Sequence, residues 1–172
     1  MTFTLISNPI KRVEMGSLFL DTHVWLWLAF GTTEKIKPST RRGLEKASAE
    51  EPRLISISSV WEVVPLEAKQ CLSLAMTVEV WVERALDRPD IRLIGFKNLR
   101  TVIDSCHLPG NFHSDPPNGL LVATADSENG VLVAHDTKIL DYGGAGHAKV
   151  LSTCSTISSF AAHPGFEMST PH

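Results

Sequence analysis

Acidic side chains recur at equivalent places in this sequence, next to short apolar runs. Asp21 follows "SLFL", Asp136 ends "VLVAHD", and Glu62 falls in the first turn of the helix predicted after "RLISI". Parallel strands end at one edge of a sheet, so these acids are expected to meet in the crevice beyond the strand ends. Carboxylates that converge repel each other unless a cation neutralises them, and hard oxygen ligands select Mg²⁺ or Mn²⁺.

A site of this type is suited to the hydrolysis of phosphodiesters. A bound metal ion lowers the pKa of a water molecule to make the nucleophile, and it neutralises charge that develops on the phosphate oxygens. Asp115 and Asn118 begin the helix that leads towards Asp136, so their side-chain oxygens join the candidates.

Each acid also has a purely structural interpretation. Asp21, Asp115 and Asp136 all precede helical segments, where Asp is a preferred N-cap, and a proline follows Asp115 as it often follows a cap. The segment "SVWE" forms a capping box, in which Glu62 would accept a backbone N–H from Ser59. The spacing of the acids alone therefore leaves both interpretations open.

Short apolar segments alternate with helical ones along the chain. Strands are predicted at residues 17–21, 53–57, 91–95 and 131–136, with 149–152 as a candidate edge strand. Helices are predicted in between, and Pro65 is expected to kink one of them or limit its first turns. This alternation predicts an α/β fold with a central parallel sheet of four to five strands between helices.

Length and composition indicate one soluble globular domain. The chain has 172 residues, 43% of them hydrophobic and 20% charged, and its apolar runs fall short of the roughly 18 residues of a membrane span. Its net charge of −3 neither supports nor excludes a nucleic-acid partner. The scattered Cys71, Cys106 and Cys154 indicate reduced thiols in a cytoplasmic protein.

The two ends of the chain are predicted to lie outside the folded domain. Residues 1–16 are interpreted as an unstructured leader, with Met15 as an alternative start. Residues 17–152 form the predicted domain. Residues 153–172 are rich in Ser, Thr, His and Pro without an amphipathic period, which predicts a flexible tail.

Several strings around the acids resemble one protein family. They are "LFLDTHVWLWL", "ISSVWEVVPLEAKQCLSL", "WVERAL", "LPGNFHSDPPNGLLVATA" and "VLVAHDTKILDYG", in this order from about residue 18 to 151. Together they resemble the VapC-type toxins of bacterial toxin–antitoxin pairs, which carry the PIN domain. The resemblance implies a PIN-like α/β/α sandwich, a Mg²⁺- or Mn²⁺-dependent endoribonuclease, a cognate antitoxin in the active-site groove, and a cytoplasmic homodimer without membrane association.

The resemblance also assigns roles to individual residues. Asp21, Glu62 and Asp136 would be the first, second and fourth acids, which bind the metal and carry catalysis. Asn118 stands at the place of the third acid, and Asp115 is a further candidate ligand. The supporting residues would be Thr22, which could orient Asp21 or a metal-bound water, Ser58 or Ser59, which could position Glu62, and His113 at the mouth of the groove.

This chain departs from the family at the third acid. Asn118 can still offer an amide oxygen to Mg²⁺, but the site loses one unit of charge, and Gly119 stands where the family has Arg. Gln70 similarly replaces a Gly that would end a helix in the left-handed conformation. Two hypotheses follow: an active ribonuclease, or a weakened PIN-fold module that binds antitoxin without cutting RNA. If Asn118 limits activity, Asn118→Asp should raise metal-dependent cleavage.

Two further groups of residues were assigned from the pattern. The four tryptophans lie at helical positions typical of core packing, with base stacking as the alternative: Trp25, Trp27, Trp61 and Trp81. The basic side chains form two sets that could contact phosphate or simply be solvated: Lys35, Lys37, Arg41 and Arg42, and Arg84, Arg88 and Arg92.

Overall fold

A five-stranded parallel sheet forms the centre of the computed structural model, which describes residues 16–110, 112 and 115–154. The predicted leader except Gly16, and the predicted tail beyond residue 154, lie outside the described residues. The strands are β1 (Leu18–Leu20), β2 (Arg53–Ser56), β3 (Ile91–Ile94), β4 (Val131–Ala134) and β5 (Val150–Ser152). Their order is β3-β2-β1-β4-β5, and the candidate edge strand is confirmed at one end of the sheet.

Helices cover both faces of this sheet. They are α1 (Thr22–Phe30), α2 (Pro38–Glu50), α3 (Ile57–Ala68), α4 (Val78–Leu86), α5 (Leu99–Ser105), α6 (Pro116–Ser127) and α7 (Thr137–Gly144). Because side chains alternate along a strand, Leu18 and Leu20 face one core and Phe19 the other. The first core receives Trp25, Leu44 and Val63, and the second receives Leu121 and Ile139. The predicted α/β/α sandwich is therefore confirmed.

The strand order creates a switch point beside β1. The chain runs outward from β1 to β2 and β3, then returns to place β4 on the other side of β1. The loops after β1 and β4 consequently diverge at one edge, where open α/β sheets form their ligand crevices. No helix among the described residues is long and apolar enough to cross a membrane.

The tryptophan prediction was right for part of the set. Trp25 and Trp81 are buried and lie with ring centroids 5.4 Å apart. Trp27 is half-buried. Trp61 is 53% exposed, so the expectation that it packs in the core is wrong. It occupies the side of α3 opposite Val63, which fills the core, and a helix that packs on one face leaves its other face open.

Helix α3 tolerates the proline inside it. The helix continues through Pro65 to Ala68, so Pro65 does not limit its first turns. A proline cannot donate to the carbonyl four residues earlier, here that of Trp61. Both residues are exposed, and water can therefore satisfy that carbonyl.

Helix α3 ends in a left-handed residue at position 70, where the resembled family has a glycine. Gln70 has φ 59°, in the left-handed region. The Cys71 N–H donates to the Leu66 carbonyl at 2.9 Å, and the Gln70 N–H to the Glu67 carbonyl at 2.8 Å. This pair of bonds is a Schellman motif, which favours glycine at the position of Gln70.

We expect Gln70→Gly to stabilise the protein by about 0.5–1 kcal/mol, because glycine adopts this conformation without a Cβ clash. Urea unfolding followed by circular dichroism measures the change. The control is Lys69→Gly, where φ is −85° and glycine should be neutral or destabilising. Equal effects of the two substitutions would contradict the explanation.

Candidate active site

Asp21 is the most enclosed acid of the crevice, with 2% of its surface exposed. It is the N-cap of α1, and its Oδ1 accepts the Val24 N–H at 2.7 Å. Its Oδ2 accepts the N–H groups of His135 at 2.6 Å and Asp136 at 3.4 Å. The capping role and the crevice role therefore coincide in one side chain, which joins the end of β1 to the segment after β4.

Thr22 supports a different acid from the one expected. Its hydroxyl donates to Oε2 of Glu62 at 2.7 Å rather than to the Asp21 carboxylate. Thr22 is buried at the start of α1, while Glu62 comes from α3. This hydrogen bond brings the second acid to the end of β1, next to the first.

The predicted capping box of α3 is wrong. The helix begins at Ile57 with Ser56 as its N-cap, so Glu62 lies in the second turn, too far along to reach back to the helix start. The Ser58 hydroxyl pairs with that of Ser56 at 2.8 Å. The Ser59 hydroxyl is buried and has no hydrogen-bond partner among the described residues, so neither of these serines positions Glu62.

Asp136 is the N-cap of α7. Its Oδ1 accepts the N–H groups of Lys138 at 2.9 Å and Ile139 at 3.2 Å. The side chain is half-buried at the carboxyl end of β4, beside Asp21. The cap orients the carboxylate and leaves its second oxygen without a hydrogen bond within the part of the chain described.

Asp115 and Asn118 lie together at the start of α6. Asn118 is 7% exposed, and its Nδ2 donates to Oδ1 of Asp115 at 3.4 Å. Asp115 occupies the N-cap position, but its side chain makes no capping hydrogen bond, contrary to the structural interpretation of this acid. The sequence-predicted His113 lies outside the described residues.

Gly119 lies where α5 approaches α6 closely. A Cβ at this position would lie 3.1 Å from the carbonyl oxygen of Ser105. A side chain here, such as the Arg of the family pattern, would therefore require this carbonyl to shift by a few tenths of an ångström.

The acids share one region of negative charge. Burial raises the pKa of Asp21, although the N–H bonds from Val24 and His135 oppose this shift. Burial also raises the pKa of Glu62, and the charges of Asp115 and Asp21 raise it further, while the Thr22 hydrogen bond lowers it. Within the described part of the chain, none of the ion pairs involves Asp21, Glu62 or Asp136.

The chemistry of these side chains fits a hard divalent cation. Asp21, Glu62 and Asp136 offer carboxylate oxygens and Asn118 an amide oxygen. Burial without a Lys or Arg partner, as observed among the described residues, is a condition that such a cation relieves. No three His, Cys, Asp or Glu side chains among residues 16–110, 112 and 115–154 already form a group that could hold a metal ion. The fit therefore rests on the donor chemistry and not on a closed coordination shell.

An aromatic and basic cluster beside the acids was not predicted. The ring of Trp27 lies 4.7 Å from that of His135 and 6.3 Å from that of His23, and Lys35 Nζ lies 5.3 Å from the Trp27 centroid. The sequence alone could have predicted the contact of His23 with Trp27, because residues four apart share a helix face. The approach of His135 depends on the pairing of β1 with β4.

Two solved structures share the fold of this chain. VapBC2 from Rickettsia felis, bound to a promoter DNA fragment, aligns at 14% identity and a TM-score of 0.57, over 78% of this chain and 97% of the solved chain. A toxin–antitoxin complex from Klebsiella pneumoniae aligns at 22% identity and a TM-score of 0.54, over 82% and 100%. At these identities the likeness shows the fold, and the PIN-like sandwich predicted from the sequence is confirmed. Neither family models nor curated protein sequences match the chain.

We expect Glu62→Gln to stabilise the metal-free protein by about 0.5–1 kcal/mol near pH 7. The folded-state pKa of Glu62 is raised above its ordinary value of 4.5, so its contribution to stability is present below that pH and is lost as the pH rises through the raised value. Glutamine keeps an acceptor for Thr22 and does not titrate. Urea unfolding in EDTA should therefore show a gain that grows as the pH rises above about 4.5.

The matched control is Glu67→Gln on the same helix, outside the acidic cluster. It should change stability little across this pH range. A loss of stability in Glu62→Gln at every pH would show that the charged hydrogen bond from Thr22 outweighs the cost of burying the carboxylate.

Proposed function

We propose that this protein is the toxin component of a toxin–antitoxin pair and acts in the cytoplasm as a Mg²⁺- or Mn²⁺-dependent endoribonuclease. The observation that carries the proposal is the group of buried and half-buried carboxylates at the switch point, Asp21, Glu62 and Asp136, which form no ion pair with Lys or Arg among the described residues. Hydrolysis of RNA phosphodiesters is the chemistry that such a group supports best. The PIN-like fold agrees with it.

Asp21, Glu62, Asp136 and Asn118 would hold the cation. When bound, it supplies an activated water and neutralises the phosphate. Asp21 is fixed in place by the N–H groups it accepts, and Thr22 holds Glu62 towards it. These oxygens are therefore oriented before any ligand arrives, which reduces the reorganisation that binding requires.

The aromatic and basic cluster supports RNA as the substrate. Trp27 offers a half-buried ring beside the acids, and the exposed Lys35 is the basic candidate that lies against this ring. Single-stranded RNA is bound through stacking of its bases and through contacts to its phosphates. Two of the other predicted phosphate contacts are engaged elsewhere, since Arg41 hydrogen-bonds Thr33 and Arg88 pairs with Asp90.

An inactive antitoxin-binding module is the second candidate function. The observation that favours it is the neutral Asn118 at the place of the third acid. Such a module would keep the fold and the antitoxin groove but would not cleave RNA.

The proposed partners are a cognate antitoxin and a second copy of the chain. The Klebsiella pneumoniae structure is a toxin–antitoxin complex, which supports the first. Exposed apolar side chains on α3 and α5 support the second: Ile57, Trp61, Val64, Leu99 and Ile103. The exposed charges of α5, Arg100 and Asp104, pair with each other, so this helix can meet an identical apolar surface without an unpaired charge.

The purified chain should cleave a bulk RNA pool in Mn²⁺ and not in EDTA. Asp21→Asn should reduce cleavage at least about 100-fold, because changes outside the first ligand shell already cost up to that much. The control for Asp21→Asn is Asp87→Asn, which makes the same chemical change at an exposed acid at the end of α4.

Lys35→Ala should leave Mn²⁺ affinity unchanged and weaken RNA binding, measured by fluorescence anisotropy.

Cleavage that persists in EDTA would refute the metal-dependent site. Mn²⁺ binding without cleavage in the natural chain would favour the inactive module. Cleavage that survives Asp21→Asn would point to a contaminating nuclease.

We expect Trp61→Glu to convert the proposed homodimer into a monomer, because a carboxylate would be buried without a partner in the interface. Light scattering coupled to size exclusion measures the mass. The control is Val80→Glu, which changes an exposed apolar residue of α4. A natural chain that is monomeric at micromolar concentration would rule the dimer out.

A further inference from the structure

Thr153, directly after β5, is held by hydrogen bonds of its backbone and its side chain. It is fully buried, its N–H donates to the Ala134 carbonyl at 3.1 Å, and its carbonyl accepts the Lys37 N–H at 3.0 Å. Its hydroxyl Oγ1 lies 3.2 Å from Nδ1 of His135. Because the backbone of Thr153 is tied on both sides, its hydroxyl has a defined position against the imidazole.

This hydrogen bond determines which nitrogen of the neutral His135 ring carries the proton. The distance fits either direction of donation, but a hydroxyl has a proton that must be paired when it is buried. Among the described residues, Nδ1 of His135 is the hydrogen-bond partner of the Thr153 hydroxyl. The hydroxyl therefore donates to Nδ1, and the ring proton lies on Nε2.

His135 combines this oriented ring with a place directly beside two of the acids. The ring meets that of Trp27 edge-on, with centroids 4.7 Å apart, and the residue is exposed. Its backbone N–H donates to Oδ2 of Asp21 at 2.6 Å, and Asp136 is the next residue in the chain. Thr153 and Trp27 thus hold the imidazole in an accessible position at the edge of the crevice.

A neutral N–H donor suits an anionic ligand at this position. Carboxylate oxygens and phosphate oxygens are both acceptors, so a phosphate that approaches the acids needs hydrogen-bond donors as well as a cation. A Lys or Arg in place of His135 could pair with the neighbouring carboxylates and compete with that cation. The Nε2–H group of a neutral imidazole donates without adding a full positive charge.

We infer that His135 donates its Nε2–H to a phosphate oxygen of the bound RNA, and that Thr153 is a positioning residue that fixes this tautomer. The inference rests on the proposed ribonuclease function and adds a neutral contact for the substrate phosphate. The backbone of His135 orients Asp21, while its side chain would contact the substrate.

Two substitutions separate the N–H donor of His135 from its ring. His135→Phe keeps an aromatic ring against Trp27 without an N–H, whereas His135→Gln keeps an N–H donor without a ring. The Phe variant should cleave a bulk RNA pool in Mn²⁺ about 10- to 100-fold more slowly, as expected for the loss of one hydrogen bond to a charged group. The Gln variant should stay within about threefold of the natural chain.

Mn²⁺ binding by calorimetry on the full chain gives a measurement that does not depend on cleavage. Both variants keep the backbone N–H that holds Asp21, so both should bind Mn²⁺ like the natural chain. The matched control is His147→Gln, which makes the same change at an exposed histidine whose ring lies 5.0 Å from that of Tyr142. It should alter neither cleavage nor Mn²⁺ affinity. Circular dichroism confirms that each variant is folded.

Nuclear magnetic resonance tests the role of Thr153 through the tautomer. In the full chain with isotopically labelled histidine, at about pH 8, the nitrogen chemical shifts of His135 should place the ring proton on Nε2. Thr153→Val keeps the shape of the side chain and removes its hydroxyl, so both tautomers should appear and cleavage should slow by a smaller factor than in His135→Phe. Thr153→Ser should restore the single tautomer and the cleavage rate.

The possible failures can be told apart. Full cleavage by His135→Phe, an equal loss in His135→Gln, or a proton on Nδ1 would overturn the role of His135 and leave the metal-dependent function standing. Weaker Mn²⁺ binding by His135→Phe would show that the side chain acts on the acids, and would also overturn the inference. If the natural chain binds no Mn²⁺ or cuts no RNA, the proposed function fails and the inference fails with it.

Discussion

The hydrogen bonds that the Asp21 carboxylate accepts hold together the edge of the sheet where β1 and β4 end. They connect the first turn of α1 to the backbone after β4, across the point where the chain changes direction. Burial disfavours the charge of this side chain, and the backbone N–H groups compensate in part. The same group therefore caps a helix and joins the two strands that flank the switch point.

The other acids are arranged around this fixed point. Thr22 follows Asp21 directly and holds Glu62 from α3, while Asp136 caps α7 next to it. The result is a group of carboxylates in which burial raises the pKa of Asp21 and Glu62. Such a conflict between stability and charge is typical of functional sites.

Two separate surfaces surround the acids: one contains Trp27 and Lys35, and the other contains the exposed apolar residues of α3 and α5. The ring of Trp27 lies against His135, whose N–H donates to Asp21, and the ammonium of Lys35 lies against that ring. The apolar residues of α3 and α5 face outward from helices that pack against α6. The apolar surface is thus connected to the acids through α3, which carries Glu62, and α6, which begins with Asn118 in its first turn. The chain shares its fold with solved structures of toxin–antitoxin systems at low sequence identity.

The sequence by itself determined the layered fold and the places of the acids. Apolar strands that alternate with helices can bury their side chains only as a sheet covered on both faces, and Asp21 and Asp136 must follow strands that end at one edge. The family resemblance marked position 70 as the place of a helix-ending glycine, and the structure shows that Gln70 takes the left-handed conformation there. The partners of the side chains were decided by the tertiary structure. Thr22 contacts Glu62 across 40 positions of sequence, and Trp27 meets His135 only because β1 pairs with β4. The start of α3 at Ile57 and the exposure of Trp61 were likewise set by which helix face the core could accept, since local propensity cannot distinguish these alternatives.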